Sequence, residues 1–122
     1  MESQSPKTSL IEAYRQIDDV IVSNMPQERS GCTAVTCYLT KDGNDRKLWC
    51  ANIGDTNAIL TRKDGSIKVL SVEHNASRNQ DEVNRIAEIG GFITNGKVAG
   101  ILSVTRAFGD NELKKYVTRK SL

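Results

Sequence analysis

Leu48-Trp49-Cys50-Ala51-Asn52-Ile53-Gly54-Asp55 is the stretch on which the fold turns. Leu48, Cys50 and Asn52 alternate with Trp49, Ala51 and Ile53, the period-two pattern of a strand. Gly54-Asp55 ends it as a turn. Upstream, Thr33, Val35, Cys37 and Leu39 share one face, and Cys32, Ala34, Thr36, Tyr38 and Thr40 share the other. Both faces are partly apolar, as in a strand covered on both sides or packed in a sandwich. Asp42-Gly43 turns this strand into the next. Downstream, Ala58 to Arg62 returns, Asp64-Gly65 turns and Ile67 to Val72 returns again, so an antiparallel meander is expected over 31–72.

Helical spacing flanks this β-rich region. Leu10, Tyr14, Ile17 and Ile21 form one face, and Pro26 bars continuation, which predicts a helix from about Ser9 to Asn24. Met1 to Lys7 is polar and expected to fray. Val83, Ile86, Ala87 and Ile89 predict a second helix over about 80–89, closed by Gly90-Gly91. Asn95-Gly96 sits between short apolar runs and predicts a hairpin, with further β segments through 92–105 and a tail after them. One α+β domain is the expected class.

The 122 residues suffice for one core. A charged fraction of 26% beside a hydrophobic fraction of 38% describes a globular rather than disordered chain. A net charge of +2 and a pI near 8.5 fall short of a nucleic-acid footprint, so no nucleic-acid partner is expected. Lys114, Lys115, Arg119 and Lys120 read as a solvated tail rather than a phosphate-binding patch. Cys32, Cys37 and Cys50 lack metal or redox spacing and read as buried small hydrophobes in a reducing compartment. Neither a signal core nor a membrane-spanning run is visible, and Lys120-Ser121-Leu122 only scrambles a peroxisomal tripeptide. The expected location is cytoplasmic, with no membrane partner.

Five blocks of the chain resemble one family. They are Ser30-Gly31-Cys32-Thr33-Ala34-Val35, Trp49 to Ala58, Leu70-Ser71-Val72-Glu73-His74, Glu82-Val83-Asn84-Arg85-Ile86 with Gly90-Gly91, and Ile101 to Asp110, with Lys114 beyond. Each is similar to a segment of the protein phosphatase 2C family, the metal-dependent serine/threonine phosphatases, and the five stand in the family's order. The resemblance implies an antiparallel β-sandwich with flanking helices, here as an incomplete domain corresponding to the central portion. It implies Mn²⁺ or Mg²⁺ as cofactor and a phosphoprotein substrate, or a regulatory protein partner.

The family's remaining ligand segments, an N-terminal acidic pair, Asp-Gly-His-Gly-Gly, a later Asp-Gly-Leu-Trp-Asp and a C-terminal Asp, have no counterpart in these residues. A water acidified between two metal ions needs several carboxylates. The chain is therefore expected to lack the complete dinuclear site and to be weakly active or inactive. Asp55 alone carries over to metal chemistry, as an accessory ligand. Its other reading is an acceptor that fixes its own turn. Asp110 and His74 read as structural, with Arg106 and Asp110 in a buried polar network. Missing strands would leave edges and an apolar face uncovered, so a homodimer or higher oligomer by strand addition or swapping is expected. Two other functions stay open: an atypical phosphomonoesterase whose site is assembled across an oligomer, and a non-catalytic interaction module or pseudophosphatase, whether a native short protein or a fragment.

Overall fold

The computed structural model describes residues 4–120; Met1 to Ser3 and the last two residues of the tripeptide, Ser121 and Leu122, lie outside the described residues. Helix α1 spans Pro6–Asn24. Ser5 caps it by accepting from the Thr8 N–H, and Pro6 stands in the first turn, where its missing N–H costs nothing. The helix therefore takes in Pro6 and Lys7, inside the stretch expected to fray. Strands β1 (Gly31–Cys32), β2 (Ala34–Asp42), β3 (Asp45–Ile53), β4 (Ile59–Thr61) and β5 (Ile67–Val69) follow. Then come helix α2 (Gln80–Glu88), strands β6 (Ile93–Thr94), β7 (Lys97–Val98) and β8 (Phe108–Gly109), and a short 3₁₀ turn over Asn111–Leu113.

The class is α+β, with two helices and antiparallel sheets. The pairs are β2–β3, β4–β5, β6–β7 and β1–β8. β2 and β3 form a long hairpin across Gly43-Asn44, in register from Asp42 opposite Asp45 to Ala34 opposite Ile53. The meander is not a continuous ladder. Between the first hairpin and β4–β5 the link is a side chain: the buried Asn52 amide donates to the Val72 carbonyl at 2.6 Å and accepts from its N–H at 3.1 Å. Over 101–105 only isolated bridges form, Val98 to Leu102 and Asn75 to Val104.

One face of the first hairpin is covered by α1. Tyr14, Ala51, Ile53 and Phe108 are buried together, with Leu10, Ile21 and Ala34 against them. The Tyr14 and Phe108 rings meet at 5.2 Å. The Tyr14 hydroxyl donates to the Ala51 carbonyl at 3.0 Å and lies 2.9 Å from Thr36 Oγ1. A second cluster gathers Ala76, Ile86, Val98, Ala107 and Val117. Ala107 and Phe108 are neighbours in the chain, so one strand end supplies a side chain to each cluster.

Four expectations need correction. The inward face of α1 is Tyr14 and Asp18, both buried, while Ile17 is 48% exposed. The cysteines are not core: Cys32 and Cys37 are exposed and Cys50 is half-buried. Both faces of β2 are apolar in sequence, but the face of Val35 and Leu39 is covered only at the Asn52 end; toward the turn Leu39 is 62% and Leu48 40% exposed. The segment after β8 is no free tail either, as the contacts of Lys114 and Arg119 below demonstrate.

Tyr14→Phe removes a hydroxyl bonded to a buried carbonyl and is expected to cost about 1 kcal/mol. Tyr14→Ala also empties the ring's place and is expected to cost about 3–5 kcal/mol. Urea unfolding followed by circular dichroism checks both.

Candidate functional site

Two Gly-Asp corners stand at the ends of β3 and β8. At the first, Gly54 has φ +86°, and a Cβ there would overlap the Thr33 side chain, so only glycine fits. His74 clasps this glycine from both sides. Its Nδ1 accepts from the Gly54 N–H at 3.2 Å, and its own N–H donates to the Gly54 carbonyl at 3.0 Å. The imidazole is fully buried. Burial, reinforced by the Arg106 charge, pulls its pKa down to about 4, so the ring is neutral at physiological pH. With Nδ1 accepting, the ring proton sits on Nε2, which has no partner among the described residues. His74 is the structural hydrogen-bonding residue that its place in the sequence suggests.

Asp55 is half-exposed beside this clasp. Its Oδ2 accepts from Asn75 Nδ2 at 3.4 Å, and Asn75 Oδ1 in turn accepts from the Ser77 N–H and lies 2.7 Å from its hydroxyl. The carboxylate is thus engaged in a turn-bracing chain. Among the described residues no three His, Cys, Asp or Glu side chains are grouped so as to hold a metal ion.

The second corner is read by a residue that sequence patterning missed. Asp18 Oδ1 accepts from the Gly109 N–H at 2.7 Å, across 91 residues of sequence. Its Oδ2 lies 3.1 Å from Lys114 Nζ and 3.8 Å from Arg119, and Arg119 also pairs with Asp19 at 2.6 Å. Lys114 further donates to the Ala107 carbonyl. A charged residue four positions after Tyr14, on the apolar face of a helix, was the available signal. Asp110 adopts a left-handed conformation at φ 50°, its N–H donating to the Ser30 carbonyl. Its carboxylate packs where Gly31 has no side chain; a Cβ on Gly31 would overlap it. Burial pushes the Asp110 pKa up.

Arg106 does enter a buried network, but not with Asp110. Glu82 receives Arg106 through Nε and Nη2, Arg85 through Nε, and the Thr105 hydroxyl at 3.0 Å. Arg85 also donates to the carbonyls of Thr105 and Tyr116, and Arg106 to that of Lys120. Burial alone would raise the Glu82 pKa; hydrogen bonds from Arg106 and Arg85 outweigh it and hold the carboxyl at about 2. The network fastens α2 to the closing segment of the chain.

A cleft of about 570 Å³ lies between α1 and that segment, lined by Ile11, Arg15, Lys114, Thr118, Arg119 and Lys120. Its cations are largely spoken for. Arg15 pairs with Glu12 and Asp19, Lys114 with Asp18, and Arg119 with Asp19. The charge that would attract a phosphate is offset within the protein.

A protein-family model described as Protein phosphatase 2C matches residues 1–121. The chain is 37% identical over 120 residues to probable protein phosphatase 2C 28 of Arabidopsis thaliana, spanning 94% of this chain and 34% of that protein. It is 40% identical over 119 residues to probable protein phosphatase 2C 9 of the same plant, spanning 93% and 40%. The chain therefore spans well under half the length of these relatives. Among solved structures it superposes on a C. elegans sex determining protein with a TM-score of 0.83 at 25% identity, covering all of this chain and 30% of that one. A phosphatase from a pathogenic strain of Toxoplasma gondii gives a TM-score of 0.73 at 19% identity, covering 98% and 54%, a likeness of fold.

Glu82 and His74 each set a pH dependence. Glu82 at about 2 against an ordinary 4.5 contributes stability that is full above 4.5 and lost as pH falls toward 2. His74 at about 4 against an ordinary 6.5 is deprotonated in the fold, so stability drains as pH falls from 6.5 toward 4, where the unfolded chain takes up the proton first. Glu82→Gln is expected to cost about 3–5 kcal/mol at neutral pH, because two arginines lose their counter-charge. His74→Gln is expected to flatten the loss between pH 6.5 and 4. Urea midpoints across pH measure both.

Proposed function

The chain belongs to the protein phosphatase 2C family, and on that premise we propose that it forms a central scaffold of a metal-dependent serine/threonine phosphatase domain without completing a dinuclear metal centre of its own. Members of this family generally depend on Mn²⁺ or Mg²⁺. Such hard cations take several oxygen donors each. The observation that carries the reading is how the described carboxylates are used. Asp18 and Glu82 are bound to cations and backbone, and Asp55 braces a turn. With no three donors grouped, the described residues do not fit a pair of metal ions. Asp55 is assigned the accessory position, since it is half-exposed and has a single weak hydrogen bond to give up. The hydrolysis of phosphoproteins is then the work of a fuller assembly, in which these residues supply the corners that hold the scaffold in shape.

A Mn²⁺ titration by calorimetry tests this. Binding no tighter than the millimolar range is expected, lost in Asp55→Ala, with para-nitrophenyl phosphate hydrolysed at background rate. Tight binding of two ions per chain with Mn²⁺-dependent turnover would overturn it, and would favour a site assembled across an oligomer.

We further propose that the chain self-associates through the β4–β5 hairpin. Ile59, Ile67 and Val69 lie on one face of that two-stranded sheet, at 59%, 65% and 60% exposure. A two-stranded hairpin with an open apolar face is marginal in water unless something packs on it. A second copy offers the same face and two free strand edges. Light scattering at micromolar concentration is expected to report a dimer or larger species, and Ile67→Lys to return it to the monomer. A monomeric, cooperatively unfolding wild-type chain would defeat the idea.

A further inference from the structure

Cys37 and Cys50 face each other directly across the first hairpin. We propose that they form a reversible intrachain disulfide, making the β2–β3 hairpin a site of thiol modification. The register carries the inference. The two-residue turn Gly43-Asn44 makes Asp42 and Asp45 the closing hydrogen-bonded pair, and pairs alternate along an antiparallel ladder. Counting back, Cys37 and Cys50 occupy a non-hydrogen-bonded pair, where Cα atoms stand about 4.5 Å apart and side chains are closest. That spacing falls within the roughly 4.4–6.8 Å that a disulfide spans. Both thiols project on the face that also carries Val35, Leu39 and Leu48, the face that α1 leaves open.

Access and order of reaction follow from burial. Cys37 is exposed and Cys50 half-buried. Burial, with the adjoining Cys37 thiol, pushes the Cys50 pKa up. Cys37 is therefore the attacking thiol and Cys50 the resolving one. With a low-molecular-weight disulfide as oxidant, the Cys37 thiolate forms a mixed disulfide and releases one small thiol. Cys50 then displaces the second small thiol and closes the protein disulfide. Two protein thiols are oxidised by two electrons, and one small disulfide is reduced to two thiols. Cys32 stands apart. It pairs with Phe108 in β1 and lies five residues from Cys37, about 16 Å along an extended strand. It cannot reach either partner.

The test uses the purified chain, folded, with excess oxidised glutathione, followed by N-ethylmaleimide and intact mass. The expected product has lost two hydrogens and carries no maleimide at Cys37 or Cys50, and dithiothreitol restores both thiols. Trypsin leaves Cys32 and Cys37 on one peptide, 30–41, so mapping uses Cys32→Ser, in which the link between 30–41 and 48–62 is expected to persist. Cys37→Ser is expected to abolish it. Separate glutathione adducts on Cys37 and Cys50, a bond through Cys32, or links only between chains would each overturn the proposal. Fragmentation of the linked wild-type peptides, with the single maleimide expected on Cys32, decides the matter even if a variant fails to fold.

Discussion

A single buried carboxylate holds the two ends of this structure together. Asp18 projects from α1 into the corner at Gly109 and accepts its N–H, with Lys114 and Arg119 beside it. Without that acceptor the corner's backbone would be buried and unpaired, and two cations would lose their counter-charge. Because Ala107 and Phe108 precede the corner and enter the two apolar clusters, fixing Gly109 fixes both. The clusters themselves are small, and the polar contacts decide how they sit.

The same economy runs through the other buried polar groups. His74 meets Gly54 with its ring and its backbone, and Asn52 imitates a strand for Val72. Glu82 gathers two arginines and a threonine between α2 and the last residues described. His74, Asn52 and the two arginines that Glu82 holds satisfy backbone groups that no ladder reaches, since strands β4 to β8 have only two or three residues. Short strands leave many orphan donors and acceptors, and buried side chains take the place of longer sheets.

Some of this could be read from the residues. The alternation of Leu48 to Ile53 gave its true faces, and Tyr14 with Leu10 and Ile21 gave the covering face of α1. Asp18 did not emerge, because a carboxylate on an amphipathic helix ordinarily marks the wet side. Arg119 was misjudged for the related reason that clustered cations near a terminus are usually solvated. The cysteines were misjudged because two apolar strand faces imply two full covers, and the residues described cover the second face only near Asn52. Order and spacing of the five blocks identified the family where local patterning could not, since that evidence needs no knowledge of tertiary contacts. Asp55 was legible as a corner, but its bond to Asn75 depends on how the loop after Val72 folds back.

The pairing of β1 with β8 has a consequence for the order in which the structure can form. The β2–β3 hairpin closes across two residues and can assemble as soon as its strands exist. Gly31 must wait for Gly109, and Asp18 for the same glycine. Contacts so distant in sequence are costly to close and slow to be rewarded. During synthesis the helix and the long hairpin emerge well before the corner that anchors them. For that interval the chain displays its apolar strands unsupported, a window in which a chaperone has more to grip than in the finished fold.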